Sequence, residues 1–234
     1  MTSSTPWEWS LFRRRIRLSD GPLTVSAVEL YPAPDGALRC HWAADGPGML
    51  EYHDAEWGFP VVDDRRLFEK VSLEGFQSGL SWRTILNKRP AFREVFGGFD
   101  FAEIAEYGED DIARLLEDAR IIRHRGKIEA VVNNARRALE LVDETGTLAN
   151  YFWSWEIPAG EITVPASVST SPSSIAMAKD LKRRGWRFVG PTTAFAFMQA
   201  MGLVNDHAEG CVTLATVTAA RQAFGPPREP DRHL

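Results

Sequence analysis

The sequence is poor in cysteine and has no long apolar run. Its 234 residues include only Cys40 and Cys211, which are far apart, and a disulfide between them is not expected in a reducing compartment. No stretch of about 18 apolar residues is present, so no membrane-spanning helix is expected. Residues 1–20 lack the continuous apolar stretch of a signal peptide. The sequence therefore predicts a cytoplasmic protein.

The chain also lacks a net positive charge. It has 27 lysines and arginines against 32 aspartates and glutamates, which gives a formal net charge of -5. This balance argues against diffuse, charge-driven binding to nucleic acids. Basic runs are more often solvated helix faces than binding sites. Two such runs are nevertheless candidates for a local basic face: Arg120, Arg123, His124, Arg125, Lys127, and Lys182, Arg183, Arg184, Arg187.

The pattern of apolar residues predicts an all-α domain with a small β appendage. Alternation over residues 15–18 and 23–28 is typical of a β-hairpin, and the Pro- and Gly-containing segment 32–36 indicates a boundary. From Asp64, the expected first N-cap, the spacing predicts helices over 64–75, 82–96, 101–106, 109–118, 124–144, 173–184, 191–201 and 206–223. We predict an N-terminal extension at residues 1–38, a domain at residues 39–225 and a disordered tail at residues 226–234.

Each cysteine has a histidine at a spacing typical of metal ligands. His207 and Cys211 are four residues apart, which would place them on one face of a helix. Cys40 and His53 bracket a short segment at the start of the domain. Two cysteines and two histidines form a closed tetrahedral zinc set, which would tie the start of the domain to its last helix. Spacing alone supports two unrelated buried cysteines equally well, because such pairs also arise by chance.

Residues 184–190 form a short, glycine-containing connection between two predicted helices. Pro191 suits the first turn of the second helix, where its missing N–H is not needed. In a helix–hairpin–helix, the N–H groups around Gly190 would bind a DNA phosphate, and Arg184 and Arg187 would add positive charge. An ordinary corner between two helices explains this segment better when it is considered alone.

Glu74 interrupts an apolar helical segment that includes Leu73 and Phe76. A carboxylate in such a place is costly unless it is paired. A pocket for a flipped base gives it a purpose, because the carboxylate accepts from the exocyclic amine while aromatic rings stack on the base. A cationic base is also attracted to the ring faces. Each aromatic candidate, taken singly, is better explained as core: Tyr52, Trp82, Trp42 and Trp57.

Five longer strings carry a resemblance to a known family. They are RCHW at 39–42, YHDAEWG at 52–58, LEGFQSGLSW at 73–82, IIRHRGKI at 121–128 and FMQAMGLVNDH at 197–207. Together they resemble the DNA-3-methyladenine glycosylase I family, within the helix–hairpin–helix glycosylase superfamily. The similarity covers about residues 39–215, and residues 1–38 lie outside it.

The resemblance implies a monomeric base-excision repair enzyme that hydrolyses the N-glycosidic bond of 3-methyladenine in double-stranded DNA. It implies that Glu74 holds the excised base together with Tyr52 and Trp82, with Trp42 and Trp57 near. It also implies that Leu80, in the turn with Gly79 and Ser81, fills the gap left by the flipped nucleotide. Finally, it implies one structural zinc ion bound by Cys40, His53, His207 and Cys211.

Three positions depart from related enzymes. Met49 stands where the family is expected to have another pocket tyrosine. Asn205 stands at the place of an aspartate that many hairpin glycosylases carry, and Thr192 at the place of the lysine that forms a Schiff base in bifunctional relatives. These residues predict base excision without strand cleavage.

Three other functions remain open at this point. A broader alkylpurine glycosylase would usually keep the aspartate. A non-enzymatic zinc and hairpin DNA-binding module needs no carboxylate in a pocket, so Glu74 argues against it. The third is an unrelated zinc-stabilised scaffold protein.

Overall fold

The computed structural model describes residues 29–158, 160–162 and 164–227, and it is mostly helical over them. Two short antiparallel strands, β1 (Leu30–Pro32) and β2 (Leu38–Cys40), pair with Leu30 opposite Cys40. The segment 32–36, which the sequence indicated as a boundary, therefore lies in the turn of a hairpin. The hairpin predicted at residues 15–28 lies outside the described residues, as does residue 228 onward of the predicted tail.

Helices make up the rest of the described chain. A 3-10 turn at His41–Ala44 leads into α1, and a second one at Gly97–Phe99 separates α3 from α4. The α-helices are α1 (Met49–Ala55), α2 (Asp64–Gln77), α3 (Trp82–Val95), α4 (Phe101–Ala105), α5 (Glu109–Glu117), α6 (Arg125–Thr145), α7 (Leu148–Trp153), α8 (Pro172–Arg183), α9 (Pro191–Ala200) and α10 (Val212–Ala223).

The predicted all-α character is confirmed, although α1 and α7 were not predicted and α10 begins six residues later than expected. Both unpredicted helices are short, with seven and six residues, so they contain too few turns to show a helical period. None of the helices in the described part of the chain combines the length and apolarity needed to cross a bilayer.

The N-cap of α2 is Asp63 rather than the predicted Asp64. The Asp63 side chain accepts a hydrogen bond from the Arg66 N–H at 2.8 Å, as an N-cap does. The Asp64 carboxylate instead accepts from the backbone N–H groups of Leu148 and Ala149, at 3.1 and 2.9 Å. Asp64 therefore joins the start of α2 to the start of α7.

Helix α2 is the central element of the domain. Every residue from Leu67 to Phe76 is buried, because the helix packs against α3, α6, α7 and α9. Fully burying a large apolar side chain contributes about 1.5–3 kcal/mol, and Phe68 and Phe76 on this helix are both fully buried. This packing also carries two ionisable residues of α2, Lys70 and Glu74, into the interior.

Candidate functional site

A cavity of about 400 Å³ lies beside α2, and we call it the aromatic cavity. Its volume is in the range of small-molecule sites, roughly 300–1,000 Å³. Helices α1, α2, α3 and α9 and the 3-10 turn before α1 supply its walls. All the pocket residues expected from the sequence line it: Glu74, Tyr52, Trp82, Trp42 and Trp57.

Glu74 is buried, with an exposed fraction of 5%, so it is not a solvated helix residue. Its Oε1 lies 2.8 Å from Nζ of Lys70, one helical turn earlier. The same Nζ donates to the Tyr52 hydroxyl oxygen at 2.7 Å and lies 3.3 Å from the centroid of the Trp82 ring. Sequence reasoning required a partner for Glu74 but missed Lys70, although a Lys/Glu pair at i, i+4 in an apolar helix is the signal that indicates it.

The aromatic rings contact one another rather than enclosing a slot. The Tyr52 and Trp82 ring centroids are 5.3 Å apart with a tilt of 40°, and those of Trp42 and Trp57 are 5.1 Å apart and edge-on. Because stacked carbons approach to about 3.5 Å, a purine between two rings needs roughly 7 Å. The Tyr52 and Trp82 rings are closer together than this spacing.

Met49 is the first residue of α1, and it lines the aromatic cavity. Its side chain is buried, with an exposed fraction of 3%. A thioether is apolar and polarizable, and it makes favourable contacts with aromatic rings. The departure from the expected tyrosine therefore leaves the wall apolar but removes a hydroxyl group from it.

The turn between α2 and α3 contains Leu80, which lies in sequence between Gln77 and Ser81, two residues that line the aromatic cavity. Leu80 is 40% exposed and is one of several large apolar side chains that the described part of the chain exposes. Gly79 has a φ of +80°, a conformation that glycine adopts without strain. Ser81 is the N-cap of α3 and accepts from the Thr84 N–H at 3.3 Å. Gly79 and Ser81 thus hold the turn in which Leu80 points outward.

Lys127 anchors the same turn from α6. Its buried Nζ donates to the backbone oxygens of Phe76 and Ser78, at 2.8 and 2.6 Å. A cation at the C-terminal end of a helix is favourable because the last carbonyls have no intrahelical partner. The sequence placed Lys127 in a basic surface cluster, but its ammonium is used inside the protein.

A second cavity, the turn cavity, lies between this turn and the start of α9. It has a volume of about 320 Å³ and shares Glu74, Gln77 and Ala196 with the aromatic cavity. Leu80 from the turn and Thr192 from α9 both line it. The turn cavity is therefore adjacent to the aromatic cavity at Glu74.

Helices α8 and α9, predicted to form a helix–hairpin–helix, pack against each other across the short connection 184–190. Gly190 is the N-cap of α9, and Pro191 occupies its first turn as expected. The Asn134 side chain on α6 fixes the connection, because its Oδ1 accepts from the Arg187 N–H at 2.8 Å and its Nδ2 donates to the Arg187 oxygen at 2.9 Å. This buried asparagine was not singled out in the sequence.

Cys40, His53 and Cys211 are buried and meet where β2, α1 and the start of α10 come together. Their ligand atoms all lie within 4.8 Å of one another. The Cys211 Sγ is 3.5 Å from the His53 Nε2. The His207 ring is next to them, 4.9 Å from the His53 ring between centroids, but it is outside the mutually close set. We call these four residues the Cys/His cluster.

In both histidines of the cluster, Nδ1 faces a hydrogen-bond acceptor, and Nε2 is on the other side of the ring. The His53 Nδ1 is 2.7 Å from Asp54 Oδ1, and the His207 Nδ1 is 2.9 Å from Asn205 Oδ1. Since both partners are acceptors, each Nδ1 carries the proton. The His207 Nε2 is buried without a hydrogen-bond partner in the described chain. Burial lowers the pKa of His207 to about 4, so its imidazole is neutral and suits a metal.

The prediction that His207 and Cys211 share one face of a helix is wrong. Helix α10 begins at Val212, with Cys211 as its N-cap, and His207 lies in the preceding irregular segment. Gly210 has a φ of +87°, which interrupts any helix there. A turn brings the two side chains to the cluster. The donor set of two thiols and two imidazoles fits a tetrahedral zinc ion.

Comparisons with known proteins agree with this geometry. A model of the methyladenine glycosylase family matches residues 42–214. The chain belongs to the methyladenine glycosylase family. It is 45% identical over 177 residues to DNA-3-methyladenine glycosylase 1 of Escherichia coli (strain K12), covering 74% of this chain and 95% of that protein.

Two solved structures are similar to this methyladenine glycosylase over most of its length. A crystal structure of 3-methyladenine DNA glycosylase I matches with a TM-score of 0.70 and 47% identity, over 74% of this chain and 98% of that one. The second is from a study of 3-methyladenine recognition by 3-methyladenine DNA glycosylase I of Staphylococcus aureus. It matches with a TM-score of 0.70 and 34% identity, over 75% of this chain and 95% of that one.

Arg184 of this methyladenine glycosylase, which the sequence predicts to contact DNA, is half-buried and already forms ion pairs within the protein. Its guanidinium donates to Glu144 at 2.5 and 2.9 Å and to Asp180 at 2.7 Å. The bidentate geometry fixes the group and uses its donors. Arg187 is exposed and forms no ion pair with any described residue, so it is the arginine of this pair that is free to meet a phosphate.

Thr192 and Asn205 bear on the chemistry of this family member. Thr192 lies at the second position of α9 and has a hydroxyl group rather than the amine that a Schiff base requires. Asn205 Nδ2 donates to Leu214 O at 3.1 Å and to Thr218 Oγ1 at 2.9 Å. The Asn205 amide therefore joins the segment before α10 to that helix, in addition to its contact with His207.

The residue after Asn205 is a buried carboxylate that sequence reasoning left unassigned. Asp206 is fully buried, and burial raises its pKa above the ordinary value. It accepts from the Ala166 N–H at 2.8 Å and from Gln199 Nε2 at 2.6 Å. Gln199 lines the aromatic cavity. Asp206 thus orients the Gln199 amide in the wall of the aromatic cavity.

Proposed function

We infer that this protein is a base-excision repair DNA glycosylase that hydrolyses the N-glycosidic bond of 3-methyladenine in alkylated DNA. The observation that carries the inference is the aromatic cavity, which a buried Glu74 lines together with aromatic rings. Membership of the methyladenine glycosylase family supports it, as does 3-methyladenine recognition by the S. aureus relative. Incubation with methylated duplex DNA should release free 3-methyladenine, and a protein that releases none would contradict the assignment.

The chemistry asks little of the protein because the leaving group is already activated. Alkylation at N3 gives adenine a positive charge, so the base departs as a neutral molecule without protonation by a general acid. Glu74 accepts from the exocyclic amine, and the ring faces attract the cation. Breaking the glycosidic bond moves its electron pair to the base, and water adds to the sugar carbon and loses a proton. Modest stabilisation of the transition state is enough.

The DNA would approach along the turn cavity and the hairpin. Leu80 would fill the gap left by the flipped nucleotide, because it is an exposed apolar side chain that lines the turn cavity next to Glu74. The N–H groups at the start of α9, after Gly190, would bind a backbone phosphate. One chain supplies the cavity, the turn and the hairpin, so we propose that the enzyme acts as a monomer and that residues 39–225 form its catalytic domain.

We propose that the Cys/His cluster binds one structural zinc ion. Cys40, His53 and Cys211 supply mutually close ligand atoms, and His207 Nε2 supplies a neutral, unpartnered nitrogen next to them. The ion would crosslink β2, α1 and the segment before α10, and it would take no part in bond cleavage.

Arg187→Ala is expected to weaken DNA binding to all sequences alike, because a phosphate contact carries no sequence information. The slope of log K against log salt concentration should fall by up to about one unit. Arg184→Ala is the matched control, since its guanidinium is bound to Glu144 and Asp180, and it should leave the slope unchanged. The assignment of the DNA face fails if the two variants show the opposite pattern.

The product is expected to be an intact strand carrying an abasic site. Thr192 offers no amine at the position where a Schiff base would form. Incubation with methylated duplex DNA in the presence of borohydride should give no covalent protein–DNA adduct. A trapped adduct would show that a lysine attacks the sugar, and the enzyme would then be bifunctional.

A further inference from the structure

Lys70 places a positive charge where the charge of the substrate base is expected. Its Nζ is 2.8 Å from Glu74 Oε1, 2.7 Å from the Tyr52 hydroxyl oxygen and 3.3 Å from the Trp82 ring centroid. A carboxylate, a hydroxyl group and a ring face are the groups that a cationic base would use in this cavity. Lys70 is only 5% exposed, so it is not a surface residue that reaches in from solvent.

Lys70 is the positive charge that balances the negative charge of Glu74, because the neighbouring charged residues balance each other. The next ion pair, Glu56 with Arg89, is bidentate at 2.6 and 2.7 Å and balances itself. Burial and the neighbouring Glu74 raise the pKa of Tyr52 well above its ordinary value, so this side chain stays neutral. Asp45 also lines the aromatic cavity, but it is exposed, whereas Lys70 and Glu74 are buried. The buried pair thus has no net charge when Lys70 is protonated, and a net charge of about -1 without that ammonium.

We propose that Lys70 is a specificity-determining residue that offsets Glu74 and so weakens the hold of the pocket on the cationic base before the bond breaks. This inference rests on the proposed excision of 3-methyladenine. A carboxylate alone would attract the cationic base in the ground state, and that attraction is lost when the base becomes neutral. Binding that is stronger in the ground state than in the transition state slows the chemical step. The ammonium of Lys70 repels the cationic base but not the neutral leaving base. It therefore weakens binding of the ground state more than binding of the transition state, which favours the chemical step.

The proposal predicts a split between binding and chemistry. Lys70→Met keeps an unbranched side chain of similar length and removes the charge. This variant should bind methylated DNA more tightly and should cleave it more slowly in a single turnover at saturation. If Lys70 had a purely structural role, the variant would lose both affinity and single-turnover rate. Measuring both quantities therefore distinguishes the two explanations.

A cycle of charge variants gives the decisive test, using free bases as probes. The probes are 3,9-dimethyladeninium, which carries a fixed positive charge, and neutral 9-methyladenine. Binding is followed by quenching of tryptophan fluorescence at pH 6, which favours the charged form of an unpaired lysine. Glu74→Gln leaves Lys70 uncompensated and should weaken binding of the cation, whereas the double variant Lys70→Met/Glu74→Gln should recover it roughly tenfold, or about 1.4 kcal/mol. Binding of the neutral probe should change much less.

Either member of the pair, changed alone, leaves a buried charge without a partner, which is destabilising. The double variant contains neither charge, so it keeps the test informative if a single variant unfolds, and its affinities can be compared with those of the wild type. Equal affinity of Glu74→Gln and the double variant for the cation would overturn the proposal. Because free bases are used, this outcome is independent of excision: a wild-type protein that binds the probes but releases no 3-methyladenine would contradict the proposed function instead.

Discussion

In a single turnover below saturation, release of 3-methyladenine is expected to fall roughly tenfold to a hundredfold in Glu74→Gln, because binding of the base loses one charge-assisted hydrogen bond of about 1.5–3 kcal/mol. The amide keeps the shape of the side chain and one acceptor oxygen, so part of the contact with the exocyclic amine can survive. Glu74→Ala should lose more activity, because the amine then has no partner. Both variants also leave the ammonium of Lys70 without its counter-charge at 2.8 Å.

The matched control is Glu51→Gln on α1, which changes an exposed glutamate outside the aromatic cavity. It should excise at the wild-type rate. Melting temperature and zinc content should be compared for all three variants, since breaking the buried pair with Lys70 is itself costly. Normal excision by a folded Glu74→Gln variant would remove Glu74 from the site, together with the main structural support for the aromatic cavity as a base pocket.

The sequence was informative where a residue is costly in its local setting. Glu74 stood out because a carboxylate is out of place among apolar residues, and the structure confirms that it is buried and paired. Pro191 at the start of α9 and the long helix α6 were also predictable, because both follow from local rules of capping and periodicity.

The features that sequence reasoning missed depend on tertiary contacts. Lys127 and Arg184 have the composition of a basic surface cluster, but each is bound to a partner that is distant in sequence. Asn134 and Asp206 are ordinary polar residues until the fold brings Arg187 and Gln199 to them. The path of the chain through Gly210 likewise decides how His207 and Cys211 approach, which an i, i+4 spacing does not show.

Cys211→Ala is expected to abolish zinc binding and to lower the free energy of unfolding by up to several kcal/mol, because a structural metal contributes its binding energy to folding. A loss of about 3 kcal/mol lowers the melting temperature of a domain of this size by roughly 6–12 °C. Metal analysis of the purified wild-type protein should give about one zinc ion per chain. The matched control is His41→Ala, which changes an exposed histidine next to Cys40 that is outside the cluster, and it should keep the metal.

Loss of the ion should also reduce base binding, because the Cys/His cluster and the aromatic cavity share a wall. The Trp42 ring lies 5.1 Å from the His53 ring and the Trp57 ring 4.6 Å from the His207 ring, and both tryptophans line the cavity. If the ion holds the two histidines in place, its removal frees both rings to shift. Chelator-treated protein should therefore lose affinity for 3-methyladenine and recover it when zinc is added back. A metal-free wild-type protein that melts at the same temperature and binds the base normally would contradict the zinc assignment.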